Sequence, residues 1–330
     1  MPRNIAKGML GYLSKYLLDR LLLPGNCTVF TFHRVLSESE YEAATFQRSI
    51  AVSDVALRQF LVGVKSRFEI ISLQEMIDIQ NSGESKGKRP YACITFDDGW
   101  YDNYTHAFPI LKSLEVPATI FLSSDYIDSE AGFWWQNLGD ALSCNDLTQS
   151  QVDAINLLLC PLVGQTIYSG WNVDRIIEVI KEQHYDEAMD ITQAVLDVAG
   201  QVLTSHGLSW ANCVEMSNHH ISFGSHTMTH PRLSLLSSKE LDDELRCSKS
   251  SIKAKGLRYV NAICYPYGDS DKNVWSIAGK YYDIGLSTAL GLQPLSEKSC
   301  LNIPRVNVSN ILALHSSRLN YRLLRASLKR

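Results

Sequence analysis

The 330-residue chain is 45% hydrophobic and 20% charged, enough to bury one large α/β barrel or two ordinary domains. Its formal net charge of −4 gives no electrostatic case for nucleic acid as the main partner. Eight scattered cysteines with no Cys-x-x-Cys pair read as reduced core residues, so a disulfide framework is set aside and cytoplasmic residence is expected.

In chain order, residues 1–25 come first. Met9, Leu13, Leu17 and Leu21 recur at helical spacing, while Lys7, Lys15, Asp19 and Arg20 interrupt any long apolar run. The expectation is an amphipathic helix packed on the protein's own core, with a membrane-surface helix as the alternative. A signal peptide or membrane span would need a continuous apolar stretch.

From residue 26 to 124, strand-like runs alternate with helical ones, as in βα units around a parallel sheet or barrel. The strand runs are CTVFTFHRV, FEIIS, YACITF and PATIFL. A helix is expected after VSDVAL, another behind a Ser72/Glu75 capping box, and a third over residues 102–114. Over 125–215 the period is helical throughout, which reads as a helical insertion. The alternation resumes over 216–310 with HHISFGSH, a helix from a Ser237/Glu240 capping box to about Gly256, then RYVNAICYPYG, YYDIGLST and CLNIPRVNV. A basic C-terminal helix is expected over 311–330.

The chemistry sits at strand ends, where the loops of a parallel α/β barrel converge on one face. YACITF runs into Asp97 and Asp98. An N-cap would explain one acid but not two, so the pair needs a cation. His226 and His230, after the run HHISFGS, could aim both imidazoles at one point if the segment makes a helical turn. Two histidines and one carboxylate form a Zn²⁺-type ligand set with a place left for water. The other carboxylate would then remain free as a base beside a water whose pKa the cation lowers toward about 7.

Taken together and in order, TFDDG, SHTMTH and YPYG resemble the polysaccharide deacetylase family, which includes the chitooligosaccharide, peptidoglycan and poly-N-acetylglucosamine deacetylases. The resemblance implies a distorted (β/α) barrel of about seven strands, here carrying the helical insertion, and hydrolysis of acetamido groups on amino sugars. It implies a divalent metal, Zn²⁺ first, with Co²⁺, Ni²⁺ or Fe²⁺ as alternatives, held by Asp98, His226 and His230. Asp97 takes the family's general-base position, and the backbone N–H of Tyr265 its oxyanion position, with Pro266 beside it expected to contact the substrate. Many members begin the third motif with arginine, where this chain has Cys264. Arg305, at another strand end, is read as its replacement, against a purely structural ion pair.

The general acid is assigned to His33 in VFTFHRV, which resembles the first strand of a circularly permuted subgroup whose Leu-x-His motif lies at the front of the domain. Trp134 and Trp135 open the insertion and read as core or as a sugar-stacking platform. The substrate expected is an N-acetylated saccharide, free or lipid-linked, met in the cytoplasm with peripheral membrane contact through the basic termini. The rivals are an O-acetyl esterase or deformylase, and a non-catalytic carbohydrate-binding barrel.

Overall fold

The computed structural model describes residues 22, 25–84, 87–163, 172–297 and 300–328, so the helix expected within 1–25 lies outside the described residues apart from Leu22 and Gly25. The strands are β1 (Asn26–Phe32), β2 (Arg34–Leu36), β3 (Ala51–Ser53), β4 (Glu69–Ile70), β5 (Tyr91–Phe96), β6 (Ala118–Leu122), β7 (Ile221–Ser225), β8 (Tyr259–Cys264), β9 (Ile284–Leu286), β10 (Gln293–Pro294) and β11 (Val306–Asn307). The main sheet runs β10-β1-β5-β6-β7-β8-β9, with β11 also on β1 and β4 also on β5. From β1 to β9 every neighbouring pair is parallel. A parallel bridge from Leu286 to Ile303, followed by β11 on β1, returns the chain from the last strand to the first. The result is the curled sheet of a distorted barrel.

A parallel sheet covered on both faces favours strands that are apolar almost throughout. All six residues of β5 are buried. Side chains alternate across the sheet with period two. Phe30, Phe32, Ile94 and Phe96 accordingly join one core cluster, and Cys27, Val29 and Cys93 another. Both expected capping boxes form, Ser72 with Glu75 and Ser237 with Glu240. None of the eight cysteines, all among the described residues, is in a disulfide.

Between β6 and β7 the chain forms the helices Trp134–Leu142, Gln149–Val163, Val173–Ile180, Tyr185–Ala199 and Trp210–Ser217, and most of their buried faces share a separate cluster. Trp100, beside the two acids, belongs to that cluster and ties it to the barrel. The run 102–114 differs from expectation: it opens with a π-turn, Asn103–Ala107, before the helix Phe108–Leu114. The C-terminal stretch is two helices, Asn310–Leu314 and Ser316–Ser327, whose Ala313, Leu319 and Leu323 are buried in the barrel's core. Among the described residues no helix is long and apolar enough to cross a membrane.

Candidate metal centre and active site

Asp97 and Asp98 leave the C-terminal end of β5, and the turn beyond them is forced by sterics. Gly99 has φ +87°, and a Cβ there would lie 2.8 Å from Leu122 Cδ2. Asp98 itself has φ +74°, an uncommon conformation for a residue with a Cβ. The turn points the two carboxylates at different partners.

Asp98 faces the histidines. Its Oδ1 lies 3.2 Å from His226 Nε2 and 3.3 Å from His230 Nε2, and all three residues are buried. Ligand atoms bound tetrahedrally at about 2.0–2.1 Å are separated by roughly 3.3 Å, which both oxygen–nitrogen separations match, and all three ligand atoms lie within 4.8 Å of one another. Asp98 Oδ1 is buried with no hydrogen-bond partner, while Trp100 donates its indole N–H to Oδ2 at 2.7 Å. His226 Nδ1 lies 2.7 Å from the Cys264 carbonyl oxygen; with the proton on Nδ1, the Nε2 lone pair faces Asp98. His230 Nδ1 is 3.0 Å from the Tyr267 hydroxyl. Burial pushes His230 down to about 4, helped by His226 and Lys181, which leaves a neutral imidazole suited to ligation. Burial disfavours charge on Asp98, but the neighbouring imidazoles of His226, His230 and His33 outweigh that and hold the carboxyl well below the usual range.

A second cluster, Asp97, His226 and Cys264, is also close enough to share an ion. Both Asp97 oxygens are already taken by Arg305, whereas Asp98 Oδ1 has no hydrogen-bond partner, so the Asp98 set is the better site.

Asp97 turns the other way. Arg305 grips it with two parallel bonds, Nη1 to Oδ1 and Nη2 to Oδ2, each 2.8 Å. Arg305 is itself fixed by donating to the Ser287 carbonyl and to Thr31 Oγ1. Burial raises the Asp97 pKa, but Arg305, His33 and His226 outweigh it and bring it to about 2, so the carboxylate is ionised at neutral pH. His33 Nε2 lies 3.7 Å from Asp97 Oδ2. His33, Asp97, Asp98, His226, His230, Tyr267 and Arg305 line one cavity of about 330 Å³, which Trp135, Asp174, Ile177, Glu178 and Lys181 from the helices between β6 and β7 also line.

Three expectations require correction. The Tyr265 N–H already donates to the Leu286 carbonyl at 3.1 Å in register with the β8–β9 ladder, so it is committed to the sheet. The cavity-facing group of that motif is Tyr267, with φ +59° and a described backbone N–H that meets no described acceptor. Pro266 and Trp134 are buried and do not line the cavity. Pro266 opens the short turn that carries Tyr267, and Trp134 packs edge-on against Trp135 in the neighbouring core. Trp135 does reach the cavity, its ring 4.8 Å from that of His230. Finally, residues 226–230 are a loop and not a helical turn, with Thr227 and His230 both at positive φ. Sequence reasoning missed Trp100, Thr31 and Tyr267; of these only Trp100, an aromatic one glycine beyond the acidic pair, carries a sequence signal.

The sequence profile described as polysaccharide deacetylase matches residues 84–282, more than half of the chain. Among curated proteins none matches in sequence. Among solved structures, the deacetylase PplD of Streptococcus pyogenes, in complex with acetate, superposes with a TM-score of 0.57 at 18% identity, covering 92% of this chain and 99% of that one. IcaB from Ammonifex degensii gives 0.57 at 16% identity, with 90% and 97% covered. The BpsB deacetylase domain of Bordetella bronchiseptica gives 0.53 at 17%, with 86% and 96% covered. At these identities the superpositions establish the shared fold.

Proposed function

The chain belongs to the polysaccharide deacetylase family, a family of hydrolases, and from that premise we propose that it removes the N-acetyl group of an amino sugar in a saccharide, with a divalent metal, Zn²⁺ first, held by Asp98, His226 and His230. The observation that carries this reading is the convergence of that triad at 3.2–3.3 Å beside a second, independently held carboxylate. A metal in the triad supplies Lewis acidity, polarising the acyl oxygen and acidifying water so that a weakly basic carboxylate can serve.

The chain's own residues do the rest. Asp97, kept ionised and oriented by Arg305, takes a proton from the water that attacks the acetyl carbon. The Tyr267 N–H, on the cavity wall, is the backbone donor for the oxygen that gains negative charge. His33, whose Nε2 lies 3.7 Å from Asp97 Oδ2, gives a proton to the amide nitrogen as the C–N bond breaks. Acetate and a free amine leave. PplD, named a deacetylase and solved with acetate, supports the same chemistry. The substrate is an N-acetylated saccharide, and the expected lipid linkage and cytoplasmic setting belong to this proposal as well.

The test is acetate release, followed by mass spectrometry, from a panel of matched N- and O-acetylated oligosaccharides. Asp97→Asn, which keeps all three ligand residues, should lose at least a thousandfold in kcat while still binding metal. A variant as active as wild type removes Asp97 from the mechanism, and faster O- than N-deacetylation makes the protein an esterase.

A further inference from the structure

Asp98, His33, Tyr265 and Gln47 line the cavity and carry polar side-chain atoms that are buried without a hydrogen-bond partner. Asp98 Oδ1 faces the metal position and His33 belongs to the proton-transfer machinery. The Tyr265 hydroxyl is turned against Gly285, where a Cβ would lie 2.2 Å from it. Gln47 has no role in the chemistry above, yet both ends of its amide, Oε1 and Nε2, are unpartnered, and the residue is only 7% exposed. Leaving one buried polar atom unpaired costs folding free energy, and leaving two on one side chain calls for an explanation.

Its backbone is held as deliberately. Gln47 has φ +54°, and of the eight non-glycine residues at positive φ among the described residues, four line this cavity: Gln47, Asp98, His230 and Tyr267. Such conformations persist where the surroundings impose them. Here the Gln47 N–H donates to Asp174 Oδ1 at 2.7 Å, and its carbonyl accepts from the Ile50 N–H at 3.1 Å. Asp174 lies in the first turn of the helix Val173–Ile180, so this helix fixes the loop that carries the amide.

We propose that Gln47 is a specificity-determining residue, its side-chain amide gripping two adjacent hydroxyls of the sugar, one donating to Oε1 and the other accepting from Nε2. A primary amide offers one acceptor and two donors side by side, which matches a vicinal diol, whereas a lone acyl oxygen can accept only from Nε2 and would leave Oε1 unpaired. The two orphaned atoms are then paired in the complex and unpaired in the free protein. This inference rests on the saccharide-deacetylase reading and adds to it how the sugar is recognised.

The experiment uses the Zn²⁺-loaded full chain, N-acetylglucosamine oligosaccharides as probe, and the variants Gln47→Leu and Gln47→Glu. Leucine is expected to raise KM about tenfold with kcat within about threefold, because two neutral hydrogen bonds to substrate are lost. Its melting temperature should not fall, since the orphaned amide is gone. Glutamate, which can accept from both hydroxyls, should recover part of the KM. An unchanged KM in Gln47→Leu overturns the proposal, as does a lowered melting temperature with kcat falling in parallel, the mark of a structural residue. Wild-type protein that releases no acetate from these probes defeats the N-deacetylase reading instead, and this inference with it.

Discussion

Arg305 and Asp97 are each about 2% exposed, so neither charge has water to fall back on. Removing one member of a buried ion pair strands the other, at a cost of about 3–5 kcal/mol. Arg305→Met should therefore lower stability by about that amount in urea unfolding, and Arg305→Lys should recover part of it, because lysine restores the charge without the two-pronged geometry. A loss under 1 kcal/mol for the methionine variant would mean that Asp97 is neutral or solvated in its absence. At this scale much could be read from sequence: the acid pair, the two histidines, His33 and Arg305 all reach one cavity. The error at Tyr265 has a physical cause. Two tyrosines flank Pro266, and nothing in their side chains tells which N–H the β8–β9 ladder has already taken.

Between His226 and His230, the loop is braced by a helix that follows it. Glu244, in the helix Ser238–Lys253, accepts from the Met228 N–H at 2.6 Å, the Thr229 N–H at 3.2 Å and the Thr229 hydroxyl at 2.6 Å. The Ser237/Glu240 capping box fixes where that helix begins, and so where Glu244 falls. Partners of this kind, one step removed from a metal, typically contribute 10–100-fold in affinity. Glu244→Leu should weaken Zn²⁺ binding by about that factor in competition with a chelator, while the far-ultraviolet circular dichroism stays that of the wild type. Affinity within twofold would show that the loop holds its shape unaided. The long helices and buried strands were legible because their periods persist over many residues. The histidine loop was not, since Thr227 and His230 adopt positive φ without the glycine that would announce it. Nor were β2, β3 and β10, each two or three residues long and too short to show any period.

Across the whole molecule, the site joins parts of the barrel that the sheet alone links only at a distance. Asp98 leaves β5 and the histidines follow β7, with β6 between them. His33 follows β1, and Arg305 immediately precedes β11, the strand that returns the chain to β1. An ion bound by Asp98, His226 and His230 would cross-link segments more than a hundred residues apart in sequence, and no such cross-link exists in the unfolded chain. Binding only to the folded state adds about 2.7 kcal/mol at a free metal concentration 100 times the dissociation constant. In a chain of this size that should appear as a rise of several degrees in melting temperature on adding Zn²⁺, reversed by a chelator. Asp98→Asn combined with His230→Ala should abolish the rise, whereas Asp97→Asn should keep it, because Asp97 is paired with Arg305 and lies outside the ligand set. A full rise in the double variant would place the metal elsewhere. A rise lost in Asp97→Asn would make Asp97 a ligand and leave the reaction without its base.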